Sequence, residues 1–325
     1  MGRSFKSYKR MKNFITLNDL PDFQKAVDLA KLLKENPYSY KGLGKQKTLG
    51  LLFFNPSLRT RLSTQKAAQQ LGFSTIVMNF SNEAWALEFE DGTQMRGIRS
   101  EHIKEAAAVV SQYCDMVAIR AFASLTSKKN DENEIVLKSF AKYAKIPVIN
   151  MESATAHPLQ ALADAITLNE HKKKYKPKVV LTWAPHPKAL PHAVANSFSR
   201  MMSFQEADYV ITNPKGYDLD KNITKNISVI HNQSEALENA DFVYAKNWCS
   251  YDKYGQILKT DEEWMVTREK MSTTKNAKFM HCLPIRRNIV ASDSVLDNPN
   301  SLVIEQANNR TFAAQAVLKI LLDHA

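Results

Sequence analysis

Short apolar runs rich in β-branched and aromatic residues alternate along this chain with longer amphipathic segments. The runs at 48–54, 74–79, 116–120, 148–151, 179–183, 207–212, 242–245, 279–282 and 302–305 read as strands. Helical periodicity occupies 20–33, 62–71, 102–113, 132–143, 158–170 and 191–202, and 310–324 reads as a closing helix. That rhythm predicts an α/β protein with mainly parallel sheets. Nine strands are many for one open sheet, and four of them precede residue 152, so two doubly wound domains are expected, dividing near 152–160.

Composition narrows the class. The 325 residues suffice for two cores, and 44% hydrophobic with 24% charged residues describes a soluble globular chain. No apolar run reaches the roughly 20 residues of a membrane span, and no signal peptide opens the chain, so no membrane association and a cytoplasmic location are expected. Residues 1–10 are basic and aperiodic and read as a loose extension. Cys114, Cys249 and Cys282 lack disulfide or metal-ligand spacing, which fits a reducing compartment and gives no metal. The net charge of +11 suits nucleic acid or small anionic substrates. The strongest basic cluster, 171–178, reads as a solvated connector without a recognition motif, so nucleic acid is not expected.

Ligands of doubly wound sheets bind at the carboxyl ends of the strands. Unusual polar residues collect there: Ser57 to Arg61, Arg120, Glu152 to Gln160, His186, Lys246, Cys282 to Arg287, and Arg310. The first group, Asn55-Pro56-Ser57-Leu58-Arg59-Thr60-Arg61, links a strand to a helix. The first N–H groups of a helix lack partners and carry partial positive charge, so an anion docks there. Ser57 and Thr60 add hydroxyl donors, and Arg59 adds a planar fork suited to phosphate. The turn lacks glycine, so it is neither a P-loop nor a dinucleotide fingerprint. Alone, these residues fit an anion cradle and an ordinary capped helix with a surface arginine equally well. In His157-Pro158-Leu159-Gln160, proline at the first helical position leaves His157 and Gln160 to face a ligand, although a lone histidine is usually structural. His281-Cys282-Leu283-Pro284 follows another strand.

In this order, these motifs resemble those of the aspartate/ornithine transcarbamylase family, whose carbamoyl-phosphate motif matches Ser57-Leu58-Arg59-Thr60 and whose later motifs match His157–Gln160 and His281–Pro284. The resemblance implies a carbamoyl-phosphate domain over 11–157, an amino-acid-binding domain over 158–309, and a closing helix, 310–325, that crosses back to the first domain. It also implies a homotrimer with sites at subunit interfaces. A neutral amine attacks the carbonyl carbon of carbamoyl phosphate, a tetrahedral oxyanion forms and phosphate leaves. Such chemistry needs positioning and charge stabilisation more than a protein nucleophile, and no cofactor is implied. By resemblance, Ser57, Leu58, Arg59, Thr60 and Arg310 hold phosphate, while Thr60, Arg120 and His157 polarise the carbonyl. Gln160, with Pro158 and Leu159 in its motif, and the backbone at Cys282 and Leu283 hold the carbamoyl NH₂. Trp85 matches a tryptophan that similar enzymes send into the neighbouring subunit's site.

The acceptor half departs from ordinary ornithine transcarbamylases, which hold a free α-ammonium with an Asp and a Ser-Met-Gly segment. Here Tyr244-Ala245-Lys246-Asn247-Trp248 stands instead, and a lysine pairs with a carboxylate, not an ammonium. This segment and 182–187 resemble the N-acylornithine transcarbamylases of arginine biosynthesis, which use N-acetyl- or N-succinylornithine. Implied acceptor contacts are Glu152, His186, Lys246 and Arg286. Acetyl-type relatives carry Glu and succinyl-type relatives Pro where Ser100 aligns. Ser100 is small and uncharged, and Arg96 and Arg99 add positive charge nearby, so a succinyl acceptor is favoured over acetyl. From another class, an inactive relative acting as a basic binding protein is the alternative; every core motif is nonetheless intact.

Overall fold

The computed structural model describes residues 10–258 and 262–324, so residues 1–9 of the expected basic extension lie outside the described residues. Two compact units form. One runs through Arg120 and adds Val136–Met151 and the chain from Phe312; the other holds Ala121–Ile135 and Glu152–Thr311.

In the first unit, β1 (Thr48–Phe53), β2 (Ser74–Asn79), β3 (Leu87–Glu88), β4 (Glu101–His102), β5 (Met116–Arg120) and β6 (Val148–Glu152) give a sheet of order β2-β1-β5-β6 and a small β3–β4 pair. β1 is parallel to β2 and to β5. Leu49, Leu51, Leu52 and Phe53 of β1 are all buried, the continuous apolar run of a strand covered on both faces. The chain moves from β1 to β2 on one side and later places β5 on the other. The strand order therefore reverses between β1 and β5, opening a crevice at their carboxyl ends. The helix Leu58–Leu71 that follows β1 stops at Gly72, whose φ is 92° and where a Cβ would lie 2.1 Å from the Lys41 carbonyl oxygen, so only glycine fits this turn.

The second unit carries β7 (Lys178–Trp183), β8 (Asp208–Thr212), β9 (Ser228–Ile230), β10 (Phe242–Lys246) and β11 (Lys278–Met280) in the order β11-β10-β7-β8-β9, every pair parallel. Its order reverses between β7 and β10. The expected α/β class with two parallel-sheet units is present, and the helix Val303–Asp323 begins in the second unit and continues into the first.

Three expectations are corrected. Residues 302–305 are not a strand: the helix starts at Val303, and only a single bridge, Ser301 with Phe279, remains of strand pairing. β9, a three-residue edge strand, and the short β3–β4 pair were not foreseen. The helix expected over 132–143 is two, Lys128–Asn133 and Ile135–Tyr143, broken at Glu134, whose φ is 47°. Among the described residues, no helix is long and apolar enough to cross a membrane.

Candidate active site

In the first unit the cradle forms where β1 opens into the helix Leu58–Leu71. Ser57 has the extended backbone of an N-cap, and its Oγ accepts from the Thr60 N–H at 3.4 Å. Thr60 is buried, whereas Leu58 points to solvent. The first turn holds Arg59 and Arg61 and no acidic residue, although the macrodipole favours acidic side chains there. Arg120 ends β5, opposite Phe53 of β1, and its Nη1 donates to the carbonyl oxygens of Asn55 at 3.0 Å and Pro56 at 3.1 Å. A buried guanidinium thus braces the turn that carries Ser57, Arg59 and Thr60.

In the second unit, His157 caps the helix Pro158–His171, with Pro158 at its first position, and the His157 N–H donates to Ser197 Oγ at 2.7 Å. His157 Nε2 lies 3.9 Å from Glu152 Oε2 and 3.5 Å from Arg310 Nη2, and all three residues are buried. The approach to His157 is held by Glu134, whose carboxylate accepts from Thr155 N at 3.0 Å, Thr155 Oγ1 at 2.7 Å and Ser153 Oγ at 2.5 Å. This contact accounts for the αL conformation that broke the expected helix. Leu159 packs in the core, so in its motif His157 and Gln160 carry the polar functions.

Gln160 leads to residues that sequence reasoning missed. Its Nε2 donates to Asp164 Oδ1 at 2.7 Å, and the same oxygen accepts from Gln306 Nε2 at 2.7 Å. Gln306 Oε1 in turn accepts the His281 N–H at 2.9 Å. Burial pushes the Asp164 carboxyl up to about 7, against the opposing pull of hydrogen bonds from Gln160, Gln306 and Tyr244 and of the Arg310 charge. The signal was present in the sequence, since Asp164 follows Gln160 at i+4 on one helix face.

His281–Pro284 leaves β11 as a tight turn in which His281 Nδ1 accepts from the Leu283 N–H at 2.9 Å and Leu283 takes φ 54°. Burial pushes the Cys282 thiol up, only partly offset by the Lys246 charge, so at neutral pH it is a thiol and no nucleophile.

The remaining side chains gather at the carboxyl ends of β7 and β10, the reversal point of the second sheet. Ala184 N donates to the Lys246 carbonyl at 3.1 Å, Asn247 Nδ2 to the Ala184 carbonyl at 2.8 Å, and Trp183 Nε1 to the Trp248 carbonyl at 2.9 Å. These bonds stitch the 182–187 and 244–248 segments into one platform. Lys246 is only 9% exposed and, among the described residues, forms no ion pair. Arg286 Nε lies 3.3 Å from His186 Nε2. Burial pulls His186 below its ordinary value, and the Lys246 and Arg286 charges pull the same way against its hydrogen bond with the Lys188 carbonyl. A buried lysine, an arginine and an imidazole held below its ordinary value, with no carboxylate partner among the described residues, are chemically suited to an anion.

A separate group, Glu170, His171 and Glu305, brings three ligand atoms within 4.8 Å of one another at the opposite end of the helix that His157 caps. His171 and Glu305 already pair at 2.9 Å.

Comparison with known proteins identifies the family. Residues 12–170 match the aspartate/ornithine carbamoyltransferase carbamoyl-P binding domain, and residues 191–321 match the Asp/Orn binding domain of the same enzymes. The chain belongs to the aspartate/ornithine carbamoyltransferase family. Among members of the family, it is 48% identical over 316 residues to the N-succinylornithine carbamoyltransferase of Bacteroides fragilis (strain 638R), covering 97% of this chain and 99% of that one. The N-acetylornithine carbamoyltransferase of Xanthomonas axonopodis pv. citri (strain 306) is 37% identical over 342 residues, covering 97% and 98%. A solved structure of N-acetyl-L-ornithine transcarbamylase, a glutamate-to-alanine variant complexed with carbamyl phosphate and N-succinyl-L-norvaline, superposes with a TM-score of 0.90 at 37% identity, covering 95% and 99%.

In this family member, the loop expected to select the acyl group is exposed. Trp85 is 57% exposed, and its Nε1 donates to Glu101 at 2.8 Å. Ser100 is exposed, its N–H bonded to the Ala86 carbonyl at 3.1 Å. Arg99, offered by the sequence as a charge for an anionic tail, is instead paired with the buried Glu88 at 2.7 Å, while Arg96 is exposed. The loop's positive charge is therefore smaller than its composition implies.

Proposed function

We propose that this protein transfers the carbamoyl group of carbamoyl phosphate to the δ-amine of N-succinyl-L-ornithine, giving N-succinyl-L-citrulline and phosphate in arginine biosynthesis. The observation that carries the reading is the buried Lys246, without an ion-pair partner among the described residues, beside His186 and Arg286. Such a cluster repels a free α-ammonium and welcomes carboxylates, so the acceptor's α-nitrogen is an amide. The succinyl group is favoured over acetyl by the higher identity to the succinyl-type relative and by the absence of a negative side chain at Ser100.

The donor is held at the cradle of Ser57, Leu58, Arg59 and Thr60 with Arg310. As the amine attacks, charge grows on the carbamoyl oxygen, where Thr60, Arg120 and His157 donate. Gln160 and the Cys282–Leu283 backbone hold the carbamoyl NH₂, and Glu152 accepts from the acceptor's nitrogen donors. The phosphate leaves with its charge already paired. A homotrimer, in which the exposed Trp85 reaches a neighbouring site, completes the reading.

Ser100→Glu tests the acyl assignment. It is expected to lower kcat/KM for N-succinylornithine by about 10- to 100-fold, the effect of one like-charge contact, while leaving N-acetylornithine turnover within about threefold. An unchanged succinyl-to-acetyl ratio in steady-state assays would remove the loop as selector.

A further inference from the structure

The side chain that touches a substrate is only as good as the bond that orients it. Gln160 is buried, and a primary amide in a pocket has two orientations that differ only in exchanging donor and acceptor. Here the exchange is settled by a single oxygen. Asp164 Oδ1 accepts Gln160 Nε2, which leaves Gln160 Oε1 as a buried acceptor with no partner among the described residues. The same Asp164 oxygen accepts Gln306 Nε2, which obliges Gln306 to present Oε1 to the His281 N–H. One carboxylate oxygen therefore fixes the polarity of two amides, one on the helix Pro158–His171 and one on the helix Val303–Asp323, and through the second pins the start of the His281–Pro284 turn.

We propose that Asp164 is a positioning residue for carbamoyl transfer: with Gln306 as relay, it holds Gln160 Oε1 towards the carbamoyl NH₂ and locks the His281–Pro284 turn in register with it. The inference rests on the assignment of Gln160 to the carbamoyl group. An unsatisfied buried acceptor is costly in the empty protein, and a substrate N–H donor relieves that cost on binding. With the amide reversed, its NH₂ would face the substrate's NH₂, donor against donor. Asp164 lies fully buried, and besides these two amides it interacts with Tyr244 and the Arg310 charge, so a side chain without an acceptor there frees the orientation of Gln160 while leaving the Gln160 side chain in place.

Asp164→Ala, Asp164→Asn, Gln160→Met and the double variant Asp164→Ala/Gln160→Met test this in steady-state assays with carbamoyl phosphate and N-succinylornithine. Asp164→Ala is expected to lower kcat/KM for carbamoyl phosphate about 10- to 100-fold, consistent with loss of one oriented contact. Asp164→Asn, which keeps an oxygen able to accept from both amides, is expected to recover to within about fivefold of wild type. In the Gln160→Met background, adding Asp164→Ala is expected to cost less than about threefold, because its effect passes through Gln160. Full additivity in the cycle, or an Asparagine variant as impaired as alanine, overturns the proposal. Should Asp164→Ala not fold, ¹⁵N-glutamine-labelled wild-type protein answers the same question. The Gln160 side-chain amide protons, assigned by their loss in Gln160→Met, are expected to be strongly protected from exchange, and rapid exchange overturns the proposal. A wild-type protein that carbamoylates no acylornithine contradicts the proposed function itself, whereas an active wild type with an additive cycle contradicts only the role of Asp164.

Discussion

Arg59→Met is expected to lower kcat/KM for carbamoyl phosphate by about 100- to 1000-fold, with the melting temperature unchanged or slightly raised. The loss, about 3–4 kcal/mol, is the scale for deleting one charge-assisted partner of a bound phosphate. The stability forecast comes from the position of the residue. Arg59 sits in the first turn of the helix Leu58–Leu71, where the macrodipole disfavours a cation, and methionine is as good a helix former as arginine. Activity and stability thus move in opposite directions, which separates a phosphate ligand from a surface arginine that merely decorates a cap. A loss below about fivefold, measured with saturating acceptor, would return Ser57–Thr60 to an ordinary capped helix.

Lys246→Met is expected to raise KM for the acylornithine by about 50-fold or more, leave KM for carbamoyl phosphate within about threefold, and stabilise the empty protein. A buried ammonium with no carboxylate partner among the described residues costs folding free energy, and a methionine of similar length fills its space without that cost. A carboxylate-bearing substrate supplies the missing partner, so the same substitution removes a contact made only in the complex. Steady-state kinetics with each substrate varied, alongside thermal unfolding of the free protein, checks both halves. A drop in melting temperature with unchanged acceptor KM would make Lys246 a structural residue.

Much of the fold was legible because the strands are buried on both faces and so read as unbroken apolar runs, as in Leu49–Phe53 and Phe242–Lys246. Errors arose where local preference and tertiary context disagree. Leu302, Val303 and Ile304 are the apolar and β-branched residues of a strand, yet Ile304 is exposed and Leu302 only borders Phe279 through a backbone bond before the helix takes over. Ser228–Ile230 is short and lies at the sheet edge, where little burial marks the pattern. Glu134 breaks a helix because its carboxylate serves Ser153 and Thr155, a contact that no helical period records.

The candidate site residues were legible for a different reason. They follow strand ends, so Ser57–Thr60, Arg120, His157–Gln160 and Lys246 stand out as polar residues directly following apolar runs. Asp164 and Gln306 lie inside helices and bond Gln160 and the His281 backbone, so no strand end marks them in the sequence. Charge counting around Ser100 misled in part, since the pairing of Arg99 with Glu88 appears only in three dimensions.

The acceptor requirement at issue is a masked α-nitrogen together with an acyl carboxylate. Its most direct measurement is kcat/KM with carbamoyl phosphate for N-succinyl-L-ornithine, N-acetyl-L-ornithine and free L-ornithine, assayed side by side. The highest value is expected for the succinyl acceptor, a lower one for acetyl and negligible turnover of ornithine. Brisk turnover of free ornithine, or a clear preference for the acetyl acceptor, would contradict it.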